Sequence, residues 1–187
     1  MKGTTTVGGA GRFPTNRIRL KTGTTATIRL AVPDDAQAIT DLVNVVGAER
    51  RFVLRERATW TIGDERKTLE AADGRESAFF VVEVDGKIRG LLNVGRGRWS
   101  KDAHVATLGM SCHPDFRGIG LGTALLSQAL DWARSVGVKK VSLEVFSTNA
   151  AAISLYRKMG FQEEGRLKGH FLIDDAPVEA VFMALWF

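Results

Sequence analysis

Residues 117–122 read Arg117-Gly118-Ile119-Gly120-Leu121-Gly122, a spacing suited to binding an anion through the main chain. The run follows a β-prone segment, Val105 to Cys112, closed by His113-Pro114. After it the apolar period changes: Leu121, Leu125, Leu126, Ala129, Leu130 and Ala133 recur at helical spacing. A strand therefore ends, a glycine loop turns, and a helix begins. Glycines keep side chains off the backbone, and the first N–H groups of a helix have no acceptor within it. Such an end attracts phosphate above other anions, so the loop is expected to hold a pyrophosphate. A nucleotide P-loop is excluded, because no Lys-Ser/Thr follows the last glycine. A dinucleotide Gly-x-Gly-x-x-Gly site starting at Gly118 would need glycine where Thr123 stands. An isolated Gly-x-Gly is equally compatible with a plain tight turn.

The second signal lies further along. Val141-Ser142-Leu143-Glu144-Val145-Phe146 reads as a strand. Asn149 follows, then a short helix from Ala150 to Lys158, then Met159-Gly160-Phe161. Arg-x-x-Gly-x-Gly, with Asn149 and Ala152 leading into Leu155-Tyr156-Arg157-Lys158-Met159-Gly160-Phe161, resembles the GNAT superfamily of acetyl-CoA-dependent N-acetyltransferases. Its ribosomal-protein and small-amine acetyltransferases are the most similar branch. The resemblance covers Ala103 to Phe187 by motif and Ala26 to Ser100 by pattern.

That resemblance implies acetyl-CoA as co-substrate and direct transfer of the acetyl group to a primary amine in a ternary complex. It implies that the pantetheine arm pairs with main-chain groups of Met110, Ser111 and Cys112. A backbone N–H there, that of Met110, would polarise the thioester and hold the oxyanion. Arg117 and the amides of Gly118, Ile119, Gly120, Leu121, Gly122 and Thr123 would take the pyrophosphate. Tyr156, the only tyrosine in the chain, stands at the family's general-acid position. Asn149 either bonds the pantetheine arm or caps the following helix. Glu144 matches a glutamate that relays the amine proton in ribosomal-protein acetyltransferases; a structural carboxylate is an equal alternative. His113, His170, Asp174 and Glu179 are weaker candidates. A non-catalytic acyl-CoA-binding or regulatory module on the same scaffold is the competing reading.

An α-amine titrates near ~8 and a lysine near ~10.4, a gap worth ~3.3 kcal/mol in deprotonation. One glutamate copes more readily with the smaller cost. The expected acceptor is therefore a peptide N-terminus or a small-molecule amine. No His/Cys/Asp cluster has metal-ligand spacing, so no metal is expected.

Composition bounds the rest. The 187 residues suit one domain. No apolar run approaches the ~20 residues of a membrane span, and the start lacks the apolar stretch of a signal peptide, so a cytoplasmic protein is expected. Cys112 is the single cysteine and reads as an inert thiol. The net charge of +5 arises in residues 1–25, which carry Lys2, Arg12, Arg17, Arg19 and Lys21 and no acid. The remainder is neutral, so nucleic acid is not an expected partner; a homodimer is left open.

The positioning elements follow. Residues 1–25 are expected as a disordered basic tail and 26–187 as the acetyltransferase domain. Thr27 to Ala31 forms a first strand, and an aspartate of Pro33-Asp34-Asp35 caps a helix ending near Gly47. Glu49 to Arg57 is a second helix or a mobile connection near a substrate cleft. Asp64 to Ala72 is helical. Ser77–Val84 and Ile88–Val94 form a hairpin turned by Asp85-Gly86, and His104–Cys112 extends it. Arg166–Ile173 and Val178–Trp186 form a closing hairpin. The fold class is α+β: a mixed, mostly antiparallel sheet, splayed between its fourth and fifth strands, with helices on both faces.

Overall fold

The computed structural model describes residues 13–187. Eight strands form one sheet, β1 (Asn16–Arg19), β2 (Thr25–Leu30), β3 (Ser77–Val84), β4 (Lys87–Arg96), β5 (Val105–Cys112), β6 (Lys140–Phe146), β7 (Gln162–Ile173) and β8 (Ala176–Trp186). Their order across the sheet is β1-β2-β3-β4-β5-β6-β8-β7. All neighbours are antiparallel except β5 and β6, which run parallel. The helices are α1 (Ala36–Gly47), α2 (Ile62–Ala71), α3 (Leu121–Ser135) and α4 (Ala150–Lys158).

Side-chain alternation along the strands divides the core in two. Phe80, Val82 and Leu92 face α3 and α4, where Leu121, Leu125, Leu126, Trp132 and Ile153 complete one cluster. Val81, Ile88 and Leu91 face the other way, onto Ile39, Leu42 and Val46 of α1 and Leu69 of α2. Trp132 is fully buried and its Nε1 donates to the Gly74 carbonyl at 2.7 Å, so its one polar atom is satisfied. Leu125 is equally inaccessible; truncating such a leucine to alanine costs about 2–5 kcal/mol.

The two hairpins turn as their residues require. Asp85 and Gly86 both have positive φ, as do Asp174 and Asp175. Two-residue turns of this kind match the twist of the flanking strands.

Four expectations are corrected. The disorder expected over residues 1–25 does not hold from Phe13 onward, and residues 1–12 lie outside the described part. Phe13 packs edge-on against Phe80 at 6.0 Å, Leu20 is buried, and Asn16 Nδ2 donates to Gln128 Oε1 at 2.7 Å. Asn16–Arg19 thus adds an edge strand, and the splayed pair becomes the fifth and sixth strands. The Asp35 carboxylate does not cap α1; it accepts from both Arg29 nitrogens and from the Val32 N–H. Burial raises its pKa, but these donors outweigh burial and hold it below the ordinary value. Of the two readings of Glu49–Arg57, the helix does not form. The helix expected over Asp64 to Ala72 is present as α2 and starts earlier, at Ile62, where Thr61 and Asp64 form a reciprocal capping box.

Candidate active site

β4 pairs along β5 from Gly90↔Cys112 to Arg96↔Ala106, and β8 pairs with β6 over its whole length. β5 and β6 pair only at Val105↔Lys140, Ala106↔Val141 and Thr107↔Ser142. A contact between Thr107 Oγ1 and Ser142 Oγ at 3.2 Å marks the last joined position. Beyond it the strands part, and among the described residues the main-chain groups of 108–112 on the β6 side have no strand partner. The gap opens into a cavity of about 830 Å³. Met110, Ser111, Cys112, Arg117, Gly118, Gly120, Gly122, Thr123, Glu144, Asn149 and Tyr156 all line it. Ile119 and Leu121 do not: Ile119 packs against the core and Leu121 is buried. His113, His170, Asp174 and Glu179 do not line it either; Glu179 pairs with Arg166 at 3.0 Å.

The glycine loop ends in a bare helix terminus. Gly118 has φ 74° and Gly120 φ 108°, values that favour glycine. Gly120 is the N-cap of α3 and supplies no capping side chain. The Ala124 N–H is bonded to the Gly120 carbonyl at 3.1 Å. The N–H groups of Leu121, Gly122 and Thr123 precede that bond and have no acceptor within the helix. They stand at the positive end of a 15-residue helix. Lys21, on the turn between β1 and β2, lines the same cavity and donates its N–H to the Ile119 carbonyl at 3.1 Å. Sequence reasoning missed it, because nothing in the basic tail distinguished this lysine from the others. Lys158 of α4 also lines the cavity.

The Arg117 side chain is placed otherwise than expected. Its Nη1 donates to Glu49 Oε1 at 2.9 Å, its Nη2 bonds Glu49 Oε2, and its Nε donates to the Cys112 carbonyl at 3.1 Å. The guanidinium is turned to a carboxylate and a strand end.

Tyr156 is buried on α4 with its ring 5.7 Å from Phe161. Burial, with a smaller contribution from Cys112, pushes its phenol up to about 12. Burial likewise pushes the Cys112 thiol up to about 11, against a lowering effect of Arg117. That thiol stays protonated at neutral pH and is a poor nucleophile. Asn149 caps α4: its Oδ1 accepts from the Ala152 N–H at 3.2 Å, and its amide nitrogen is uncommitted among the described residues. Glu144 is exposed between buried Leu143 and Val145, on the cavity side of β6. It takes part in no side-chain hydrogen bond or ion pair among the described residues.

The sequence profile of the Acetyltransferase (GNAT) family matches residues 47–161. This chain belongs to the GNAT family. Streptothricin acetyltransferase of Streptomyces lavendulae is 32% identical over 162 residues, 74% of this chain and 82% of that protein. The [Ribosomal protein bS18]-alanine N-acetyltransferase of Escherichia coli is 40% identical over 72 residues, covering 38% of this chain and 49% of that protein. Against several of the curated relatives it matches, the chain spans only 43% to 63% of their length. The Salmonella typhimurium protein yncA, solved with its cofactor acetyl-CoA, superposes with a TM-score of 0.78 at 26% identity, over 86% of this chain and 93% of that one.

GNAT proteins use acetyl-CoA, and the features above fit such a carrier: a helix end for the diphosphate and a parted strand edge for the amide-bearing arm. Among the described residues, no group of three or more His, Cys, Asp or Glu is placed to hold a metal ion. No described helix is long and apolar enough to cross a membrane.

A further part of the cavity wall comes from a segment without regular secondary structure. Phe52, Val53, Leu54, Arg55 and Trp60 line it from the segment between α1 and α2, beside Val43 and Val46 of α1. Arg55 lies over the Trp60 ring at 5.1 Å. The sequence places Glu49–Arg57 near a substrate cleft as a helix or a mobile connection, but its dense charge does not show which side chains line it; the apolar residues among those charges face the cavity.

Proposed function

We propose that the protein transfers the acetyl group of acetyl-CoA to a primary amine, on a peptide N-terminus or a small molecule, in a ternary complex. The observation that carries this is the uncapped N-terminus of α3 opening into the same cavity as the parted β5 edge and Tyr156. Relatives named as acetyltransferases of streptothricin and of a ribosomal-protein alanine support it.

In this reading the amides of Gly118 to Thr123 hold the diphosphate, assisted by Lys21. The pantetheine arm lies along Met110 to Cys112, with Asn149 Nδ2 available to one of its carbonyls. The Met110 N–H stabilises the oxyanion as the amine adds to the thioester carbon. The amine must be neutral to attack. Among the described residues Glu144 is the only carboxylate lining the cavity, and it takes the amine's proton directly or through water. The new C–N bond forms and the C–S bond breaks. Tyr156 donates a hydrogen bond to the departing thiolate, which takes its proton from solvent as it leaves.

Thiol release from acetyl-CoA against a panel of α-amines, lysine peptides and aminoglycoside-type amines tests the proposal. Turnover with at least one α-amine is expected. Tight acetyl-CoA binding without turnover on any amine would instead mark a non-catalytic binding module.

A further inference from the structure

The Arg117 side chain stands at the junction of two parts of the cavity. Its main chain opens the glycine loop, while its guanidinium reaches 68 positions back to Glu49, which precedes the cavity-lining Phe52 in the same segment. Both partners are largely shielded, with 33% and 25% of their side chains exposed. The contact is a two-pronged fork, the geometry in which arginine differs most from lysine. The third donor, Nε, is taken by the Cys112 carbonyl, and the Phe52 ring lies 5.4 Å from the guanidinium carbon. One side chain thus touches the end of β5, the acid that precedes the wall, and an aromatic within it.

The wall has ties of its own at its other end, to α1, and Val53 packs on the apolar cluster that α1 shares with α2, β3 and β4. Asn44 Oδ1 accepts the Ala58 N–H at 2.8 Å. Gly47 meets the wall so closely that a Cβ there would lie 2.5 Å from the carbonyl oxygens of Arg55 and Glu56. Arg50 pairs with Glu56 inside the segment, at an exposed site where such pairs contribute little. Between Glu49 and Ala58, Phe52, Val53, Leu54 and Arg55 face the cavity without regular secondary structure. Among the described residues, Arg117–Glu49 is the one ion pair joining this wall to the glycine-loop side.

We propose that Arg117 is a positioning residue: through Glu49 it holds the apolar wall that receives the acceptor amine, and it is not a ligand of the carrier's pyrophosphate. This rests on the acetyltransferase reading for its kinetic consequence, though not for its structural one. A wall held in place lowers the cost of seating the acceptor and leaves the thioester end untouched. Loss of the tie therefore acts on acceptor KM more than on kcat or on acetyl-CoA affinity.

The test uses the full chain with Glu49→Gln, Arg117→Gln and the double variant. Three readouts apply: acetyl-CoA affinity by calorimetry, acceptor KM and kcat with the best amine of the panel, and tryptic nicking at Arg50, Arg51, Arg55 and Arg57. Glu49→Gln is expected to raise acceptor KM about tenfold, roughly 1.4 kcal/mol. It should leave kcat and acetyl-CoA affinity within about threefold and speed nicking. In acceptor KM the double variant should match Arg117→Gln, since the Glu49 carboxylate has no other side-chain partner among the described residues. A pyrophosphate ligand predicts the opposite: Glu49→Gln frees the guanidinium and tightens acetyl-CoA, whereas Arg117→Gln weakens it tenfold or more. That result, or unchanged nicking, overturns the proposal. If no amine is turned over, the acetyltransferase reading fails while nicking and carrier affinity still decide the role of Arg117.

Discussion

Replacing Tyr156 with phenylalanine removes one hydroxyl from the cavity wall and little else. The ring is 6% exposed and stays packed against Phe161. Its hydroxyl has no protein partner among the described residues, so no donor or acceptor is orphaned and stability should move by less than about 1 kcal/mol. The chemical effect is larger. With the phenol pushed up to about 12, fewer than about one molecule in 10⁴ is ionised near neutral pH, so the proton is in place when the thiolate leaves. The leaving thiol has a pKa near ~8.5, well below the phenol. Complete transfer between them is uphill by roughly 3 units, or ~4–5 kcal/mol. Tyr156 therefore acts mainly by donating a hydrogen bond to the developing thiolate, and its contribution sits at the low end of the ~10²–10⁴ range for general acids. A loss of about 10² in kcat is expected, ~2.7 kcal/mol, with acetyl-CoA affinity within about threefold of the parent. Thiol release under saturating acetyl-CoA measures the first, and calorimetry the second. A Tyr156→Phe enzyme with kcat within threefold of the parent would remove Tyr156 as the acid.

The other residues give sharper contrasts. Gly120→Val meets open space at its Cβ but must adopt φ near 108°; a strain of about 1–2 kcal/mol should re-route the loop and reduce acetyl-CoA affinity at least tenfold. Parental affinity by calorimetry would count against the loop as the diphosphate site. Glu144→Gln should lower kcat/KM at neutral pH and displace the pH–rate profile upward, toward the amine's own pKa; an unmoved profile leaves Glu144 structural. Tyr156 and Cys112 both have folded-state pKa values raised by burial, to about 12 and about 11. The folded protein therefore holds protons that the unfolded chain has released, and stability is lost as pH rises through 9 to 12. The loss should be at most about 3 kcal/mol for each group. Urea unfolding at pH 8 and 10.5 should show the fall, reduced in Tyr156→Phe and Cys112→Ala; a flat dependence contradicts it.

What the sequence made legible is what local physics dictates. The α3 face from Leu121 to Ala133 repeats at helical spacing because it packs on strand side chains such as Phe80 and Leu92. Asp85-Gly86 is legible because few residue pairs tolerate two positive φ values in succession. The glycine loop is legible for the same reason, at Gly118 and Gly120. By contrast, β1 carries one apolar residue, Ile18, and owes its order to Phe80 and Gln128, far away in the chain. Lys21 follows it into the site from a stretch with no periodicity. The cavity wall between α1 and α2 has no regular structure to leave a pattern, and the Glu49–Arg117 pair spans 68 positions with no local trace in either neighbourhood. Asp35 shows the same limit: a capping aspartate by position, it is claimed by Arg29 from the adjacent strand.

The central claim is that the open amides at the start of α3 grip the diphosphate of coenzyme A. Calorimetric titration of the folded protein with coenzyme A and, separately, with pantetheine, which lacks that diphosphate, addresses it directly. Saturable coenzyme A binding is expected, with pantetheine at least tenfold weaker. Equal affinities, or no heat from coenzyme A, would contradict it.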